Sequence, residues 1–442
     1  MYTESATLNN YQRLETSVSR DVQGPSVKKI VLGAVVCASV LVAAAVIPSN
    51  LAPKISSHSI GGVDMVSSLG ARGLEALSLK SDSQKQTMWG VFKHTYNKQY
   101  ASSAEEAVRF EHFIKNLARI DARNMASPSA TFGITEFADI DHEQFTSAPN
   151  LLETDGFLNR IHAGVEDGSS EAAKARGFLG QIHMDTERNL ASVPRTFDWR
   201  AEGKVTPVKN IGTTCEATWA VAAVEDGEGV WAIDQDINAF PLSVQEVASC
   251  ENERADEGCA PGGEPSHAYG FINHVNGLES ESKYPLEISE GTTIMPECVT
   301  EDYADFTNSA SFNGWYQLPA QSAVAIKKGL AEKGPLAVLI NRDQIPYYTG
   351  GIDRATDCDA SHVNHGMLLV GYDYDANNEM YWILKGSYGS SWGENGYYKI
   401  YSADGACGIQ SMVTHLKPSN LKQPRPKLKE DKYIGAGTVP GE

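Results

Sequence analysis

The stretch Pro207-Val-Lys-Asn-Ile-Gly-Thr-Thr-Cys-Glu-Ala-Thr-Trp-Ala220 decides how this chain folds. It has the frame of a nucleophile loop, a glycine-bearing turn that runs into a helix through Trp219-Ala220. The residue immediately before the tryptophan is Thr218, and the nearest cysteine is Cys215. Two later stretches belong with this one. Val363-Asn-His-Gly366 supplies a histidine, and Trp382-Ile-Leu-Lys-Gly-Ser-Tyr-Gly-Ser-Ser-Trp-Gly-Glu-Asn-Gly-Tyr397 supplies an aromatic, glycine-rich segment.

Outward from that loop, 442 residues leave room for two or three domains around well-buried cores. With 21% charged and 41% hydrophobic residues the composition is that of a globular protein. The net charge of −19 argues against a general nucleic-acid role, because phosphate binding needs clustered Lys and Arg. An acidic surface suits a lumenal or extracellular domain.

Ile30–Ile47 is an 18-residue run without a charge, preceded by Lys28-Lys29 and followed by Pro48. A membrane span needs roughly 17 residues or more, so 30–47 is predicted to be a transmembrane signal anchor. The lysines place residues 1–29 on the cytosolic side and the remainder in the lumen, a single-pass type II topology in the endolysosomal or secretory pathway or at the cell surface. A cleaved signal peptide is the rival, but such peptides have a short basic start, and here 29 mostly polar residues come first. Tyr11-Gln-Arg-Leu14 has the form of an endosomal sorting signal, a pattern common by chance. Of seven cysteines, Cys37 lies in the apolar run and six follow it, an even set that reads as disulfides in an exported domain, with fifteen pairings open.

Residues 48–84 read as a stalk, 85–145 as a small helical domain, 146–192 as a linker, 193–417 as the main domain and 418–442 as a flexible tail. Glu105, Arg109, Phe113, Asn116, Ile120 and Asn124 share one helical stripe. In the main domain, Ser243 and Glu246 form a capping pattern before Cys250, and Pro265 suits the first turn of a helix running towards Asn276-Gly277. A helix is expected over 322–333. Strands are expected over 336–340, 366–372, 381–385 and 397–401, with a turn at Asp375-Ala-Asn-Asn378. Helices first and antiparallel strands later make the main domain α+β in two halves.

The quoted motifs resemble those of the papain-like cysteine peptidases, over Val193 to Lys417 and from the start Val193-Pro-Arg-Thr-Phe-Asp-Trp-Arg200. The helical stripe and Gly133-Ile-Thr-Glu-Phe-Ala-Asp139 resemble the inhibitory propeptide of the cathepsin L-like branch. The resemblance implies a helical left half, an antiparallel β-barrel right half, and a propeptide that docks on the main domain and threads its tail through the cleft. It also implies the disulfides Cys215–Cys259, Cys250–Cys298 and Cys358–Cys407. No cofactor and no metal are implied; His362 and His365 lack a further ligand at a recognisable spacing.

In that family a thiolate at a helix N-terminus attacks, a glutamine side chain and a backbone N–H hold the oxyanion, and an asparagine orients the histidine. Of these positions only His365 agrees. Thr218 replaces the cysteine, Ile211 the oxyanion glutamine and Gly386 the asparagine, while Tyr388 replaces the tryptophan that shields it. The loop Gly212-Thr-Thr-Cys215 is one residue longer than usual. Gly262-Gly263 resembles the glycine pair that binds an extended substrate backbone, Pro265 a wall of the second subsite, and Glu264 stands where an aromatic is often found, implying a more polar subsite.

The expectation is therefore a membrane-anchored pseudoprotease that binds peptides or proteins, its own propeptide among them, without cutting them. The rival class is a working endopeptidase or slow hydrolase that uses Cys215 or Thr218 with His365. A third is a storage or structural protein on an inert scaffold. Thr218 is a weak nucleophile without a well-placed base, and Cys215 lies about one helical turn, roughly 5 Å, from the usual place of the sulfur.

Overall fold

Ser81 and Ser102 start the first two long helices by the same device. In α1 (Asp82–Thr95) the Ser81 hydroxyl accepts from Gln84 N, while the Gln84 side chain accepts from Ser81 N. In α2 (Ser103–Ala126) the Ser102 hydroxyl accepts from Glu105 N. The two helices bury Trp89 and Phe92 against Phe113, Leu117 and Ile120. The Trp89 ring lies 5.3 to 5.5 Å from those of Phe92, Phe110 and Phe113.

The computed structural model describes residues 76–146, 150–151, 193–251, 259, 262–299, 308–343 and 345–419, without the side chains of 404 and 406. The expected cytosolic tail, the membrane segment 30–47, most of the stalk, nearly all of the linker and the tail beyond 419 lie outside these residues. Among the described residues no helix is long and apolar enough to cross a membrane.

The far end of the α2 stripe carries out a specific task. The Asn124 side chain donates to Phe132 O at 2.8 Å and accepts from Phe132 N at 2.9 Å, shaping β1 (Ala130–Phe132). β1 then pairs antiparallel with β5 (Tyr348–Gly351) of the main domain. Arg123, one residue earlier, places its guanidinium 2.9 Å from both carboxylate oxygens of the fully buried Asp353. A short helix, α3 (His142–Thr146), ends the segment. The helical domain is thus joined to the main one by a strand pair and a buried ion pair.

In the main domain α4 (Thr218–Asp234) is almost wholly buried, a helix enclosed by its own protein, and it carries Glu225, Asp226 and Glu228 into the interior together with its apolar side chains. On one side it meets α5 (Val244–Cys250) and α6 (Pro265–His274) in a core built around Trp219, Val247, Tyr269 and Phe271. On the other it packs on a seven-stranded antiparallel sheet in the order β3-β9-β4-β6-β7-β8, with β2 (Phe197–Asp198) beside β6. These strands are β3 (Phe312–Gln317), β4 (Leu336–Ile340), β6 (His365–Tyr374), β7 (Met380–Lys385), β8 (Tyr397–Tyr401) and β9 (Val413–Pro418). α7 (Ala323–Lys333) begins at Ser322, whose hydroxyl accepts from Ala325 N. The disulfides are Cys215–Cys259, Cys250–Cys298 and Cys358–Cys407.

Most expected elements stand close to their places, with β6 starting one residue earlier, at His365 itself. The capping pattern at α5 is half made. Ser243 Oγ accepts from Glu246 N, but the Glu246 carboxylate turns to Glu279 N at 3.0 Å. The backbone N–H of Ser243 is already given to Glu279 O, so the reciprocal bond has no donor left. β1, β3, β5 and β9 carry no clear signal in the sequence. β3 holds Gly314 in a positive-φ conformation, which breaks the alternation of a strand.

Candidate active site

Thr218 is the first residue of α4, and its Oγ1 accepts a hydrogen bond from Gly366 N at 3.0 Å. Gly366 is what allows the approach. A Cβ there would lie 2.6 Å from Thr218 O and 3.0 Å from Trp219 Cα, closer than side-chain atoms come. The start of β6 is therefore pressed onto the start of the central helix. His365, the first residue of β6, stands beside this contact.

No hydrogen bond joins the two. His365 is fully buried, and neither ring nitrogen has a hydrogen-bond partner among the described residues. Its ring instead lies on that of Tyr388, with centroids 5.2 Å apart and planes 14° from parallel. Burial and, secondarily, the nearby Arg342 guanidinium push the imidazole down to about 3, so near neutral pH it is uncharged. Burial likewise raises the Tyr388 phenol above its ordinary value.

The space of an orienting asparagine is already filled. At Gly386 a Cβ would meet Trp392 Cζ3 at 2.8 Å. Trp392 is fixed by its own Nε1–H, which donates to Ile345 O at 3.1 Å, and it meets the Tyr388 ring edge-on at 5.3 Å. Phe137, from the N-terminal domain, meets Tyr388 from another direction at 5.0 Å. The glycine and the tyrosine thus act as a pair, and the volume released at 386 is taken by the aromatic cluster beside His365.

Ile211 is wholly buried in the core of the helical half with Cys215, Ala217 and Trp219. Its backbone N–H donates to Ser387 O at 3.0 Å, so the loop keeps its place while its side chain offers no donor. Glu290, which sequence reasoning missed, holds the longer loop. Its carboxylate accepts from Thr213 N at 2.7 Å and from Thr214 Oγ1 at 3.2 Å. Cys215 is buried and bonded to Cys259, which removes its sulfur from nucleophilic duty in this state.

The groove is occupied by the chain itself. Leu151 N donates to Val363 O at 2.8 Å, and the Asn150 side chain bonds Ser361 O and Val363 N. The Leu151 side chain joins Leu339, Val363 and Met412 in a small separate core. Gly262, with φ +92°, lies opposite; a Cβ there would stand 3.7 Å from Leu151 and 3.3 Å from Glu216. Gly263 packs on the Trp219 ring, and Pro265 is buried as the first residue of α6. Glu264 departs from the expectation of a polar subsite. It is fully buried, and its carboxylate is engaged by Ser266 Oγ at 3.0 Å, on the helix that it precedes. A carboxylate so placed satisfies the orphan donors of a helix start better than it could serve a ligand.

Behind the site, buried charges join the two halves. Lys385, adjoining Gly386, places Nζ 2.7 Å from Glu225 Oε1 of α4 and 3.0 Å from Thr206 Oγ1. Lys209 pairs with Glu228 at 3.2 Å and Glu281 at 2.6 Å. Nothing in the sequence marks these residues as partners, because their spacing along the chain is irregular.

Comparison with known proteins agrees with this architecture. The family model described as "Papain family cysteine protease" matches residues 193–416, and that of the "Cathepsin propeptide inhibitor domain (I29)" matches 89–145. A probable cysteine protease of Arabidopsis thaliana, RD19D, is 32% identical over 344 residues, covering 74% of this chain and 85% of the relative. A cysteine proteinase of Trypanosoma brucei brucei is 33% identical over 340 residues, covering 76% and 68% respectively. Among solved structures, the digestive procathepsin L 3 of Tenebrio molitor larval midgut superposes with a TM-score of 0.58 at 26% identity, covering 76% of this chain and 100% of that one.

Proposed function

Taking as premise that the chain belongs to the papain family of cysteine proteases and carries the family's propeptide domain, we propose that it is a catalytically silent member that holds polypeptide in its groove without cutting it. One observation carries this reading: the histidine of the site has no hydrogen bond to Thr218, while the Thr218 hydroxyl accepts from Gly366 N. A threonine hydroxyl needs a positioned base to attack. His365 has neither the contact nor an orienting partner, since Gly386 provides no side chain and Trp392 takes the room for one. The oxyanion side chain is also missing at Ile211, a loss worth a factor of about 10²–10³ in comparable enzymes.

The groove retains its recognition surface: the Val363 backbone, the Gly262–Gly263 pair and the apolar floor of Leu339 and Met412. These are the parts that bind an extended chain through its backbone and one apolar side chain. The apolar run 30–47 and an ectodomain with three disulfides support a type II membrane protein facing an oxidising lumen.

The test combines binding and cleavage. Oxidised protein, cut in its linker, is incubated with a library of extended peptides, followed by calorimetry and by mass spectrometry of the peptides. Heat of binding with no new termini is the expected result. Efficient appearance of new termini would overturn the reading.

A further inference from the structure

We infer that Arg342, braced by Glu216, determines what lies in the groove: a polypeptide segment that brings an aromatic ring and the carbonyl oxygen of the same residue to the guanidinium. The inference rests on the reading of the groove as a binding site. It adds a selecting residue that none of the motifs contains.

Arg342 follows the end of β4, so it belongs to the sheet half. Glu216 lies in the loop before α4, so it belongs to the helical half. Their side chains meet with Nη1 2.5 Å from Oε2, bridging the two walls beside Thr218 and His365. The other edge of the same guanidinium faces α3. Nε donates to Phe145 O at 2.8 Å, and Nη2 donates to the same oxygen. The Phe145 ring packs on the guanidinium face, with its centroid 4.2 Å from Cζ. One cation thus satisfies a carboxylate, a carbonyl oxygen and an aromatic face at once, an arrangement that suits the planar fork of arginine and not the point charge of lysine.

The brace is itself built. The Arg342 backbone N–H donates to Asn364 Oδ1 at 2.9 Å, which ties it to the histidine motif. Glu216 rests on Gly262, and its backbone N–H donates to Cys259 O at 2.7 Å. Arg342 is 3% exposed, so without Glu216 its charge would be buried with only a carbonyl opposite. Phe145 O is one of the carbonyl groups at the end of α3, where so short a helix supplies no N–H to meet it. A cation at a helix C-terminus is favourable for the same reason.

The experiment is hydrogen exchange on the full-length protein, read at the amides of Phe145 and Leu151, which are bonded to Asp141 O and Val363 O. Arg342→Ala, Arg342→Lys, Glu216→Gln and Phe145→Ala are compared, with Phe145→Ala/Arg342→Ala closing a double-mutant cycle. Loss of a charged hydrogen bond predicts exchange about tenfold faster at both amides in Arg342→Ala. Arg342→Lys should recover little of the protection, and Phe145→Ala should add little on the Arg342→Ala background. Wild-type exchange at these amides in both Arg342 variants would overturn the inference. So would a uniform rise across α4 and the sheet, the signature of a merely structural role, or full additivity in the cycle. Self-cleavage, read as new termini by mass spectrometry in the same samples, would count against the silent reading alone, because exchange is measured on intact chain.

Discussion

Thr218 Oγ1 and the backbone N–H of Gly366 are hydrogen-bonded at 3.0 Å, across the line where the helical half meets the sheet. The position that would carry an attacking atom therefore carries a structural contact. Thr218→Val keeps the shape and leaves a buried N–H without an acceptor. Its expected cost is about 1–3 kcal/mol, read from denaturant midpoints, whereas Thr218→Ser should cost less because it keeps the oxygen. Equal stability of Val and wild type would mean that the contact contributes nothing.

His365 offers a second prediction. Its two ring nitrogens are buried and without partners among the described residues, so replacing the imidazole by an apolar ring that still stacks on Tyr388 removes a cost. His365→Phe should be neutral or stabilising near neutral pH. The sign of the pH effect follows from the lowered value. The unfolded imidazole takes a proton near pH 6.5 and the folded one only at about 3. Stability supplied by the neutral form is thus complete above 6.5 and falls as the pH drops towards 3. His142 and His415, both lowered to about 4 chiefly by burial, act in the same direction. Denaturant midpoints taken across this window should fall with acidification, and less steeply in His365→Phe. A slope unchanged by the substitution would contradict the assignment.

Restoring the missing groups is not simply additive. Gly386→Asn must displace Trp392, which is held by Ile345 O and packed on Tyr388. The single substitution is expected to cost about 1–3 kcal/mol from overpacking. Thr218→Cys with Ile211→Gln and Gly386→Asn should remain weak until Tyr388→Trp is added and the aromatic cluster rearranges. Peptide turnover in the triple variant matching that of the quadruple one would show that Trp392 yields easily.

Lys385 and Glu225 form a cross-half ion pair in addition to Arg342–Glu216, with side chains almost wholly buried. Removing one partner leaves a buried charge, so Lys385→Met is expected to cost about 3–5 kcal/mol. Lys385→Met/Glu225→Leu should recover much of the loss. Thermal or denaturant unfolding of the three variants reads the difference, and an additive double variant would contradict the pairing.

Much of this could be read from the sequence because it is local. Ser243 before Val244 and Pro265 at a helix start are short-range signals, and the structure shows both helices. Thr218, His365, Gly386 and Ile211 could be singled out because each sits in a recognisable motif. Glu290 and Arg342 were not, since each acts through a partner distant in sequence and lies in a segment without a motif. Glu264 shows the opposite error. A residue type can be read from its position, but whether its carboxylate faces a ligand or its own helix depends on packing that no spacing encodes.

The claim at the centre is that no thiol stands at the groove. It is tested most directly by exposing the oxidised, linker-cut protein to a thiol-directed epoxide and weighing the fragment that holds position 218, with Thr218→Cys as the control. The account predicts an adduct at position 218 of the variant and none on the wild-type protein, whose Cys215 is bonded to Cys259. A wild-type adduct mapped to Cys215 would contradict it.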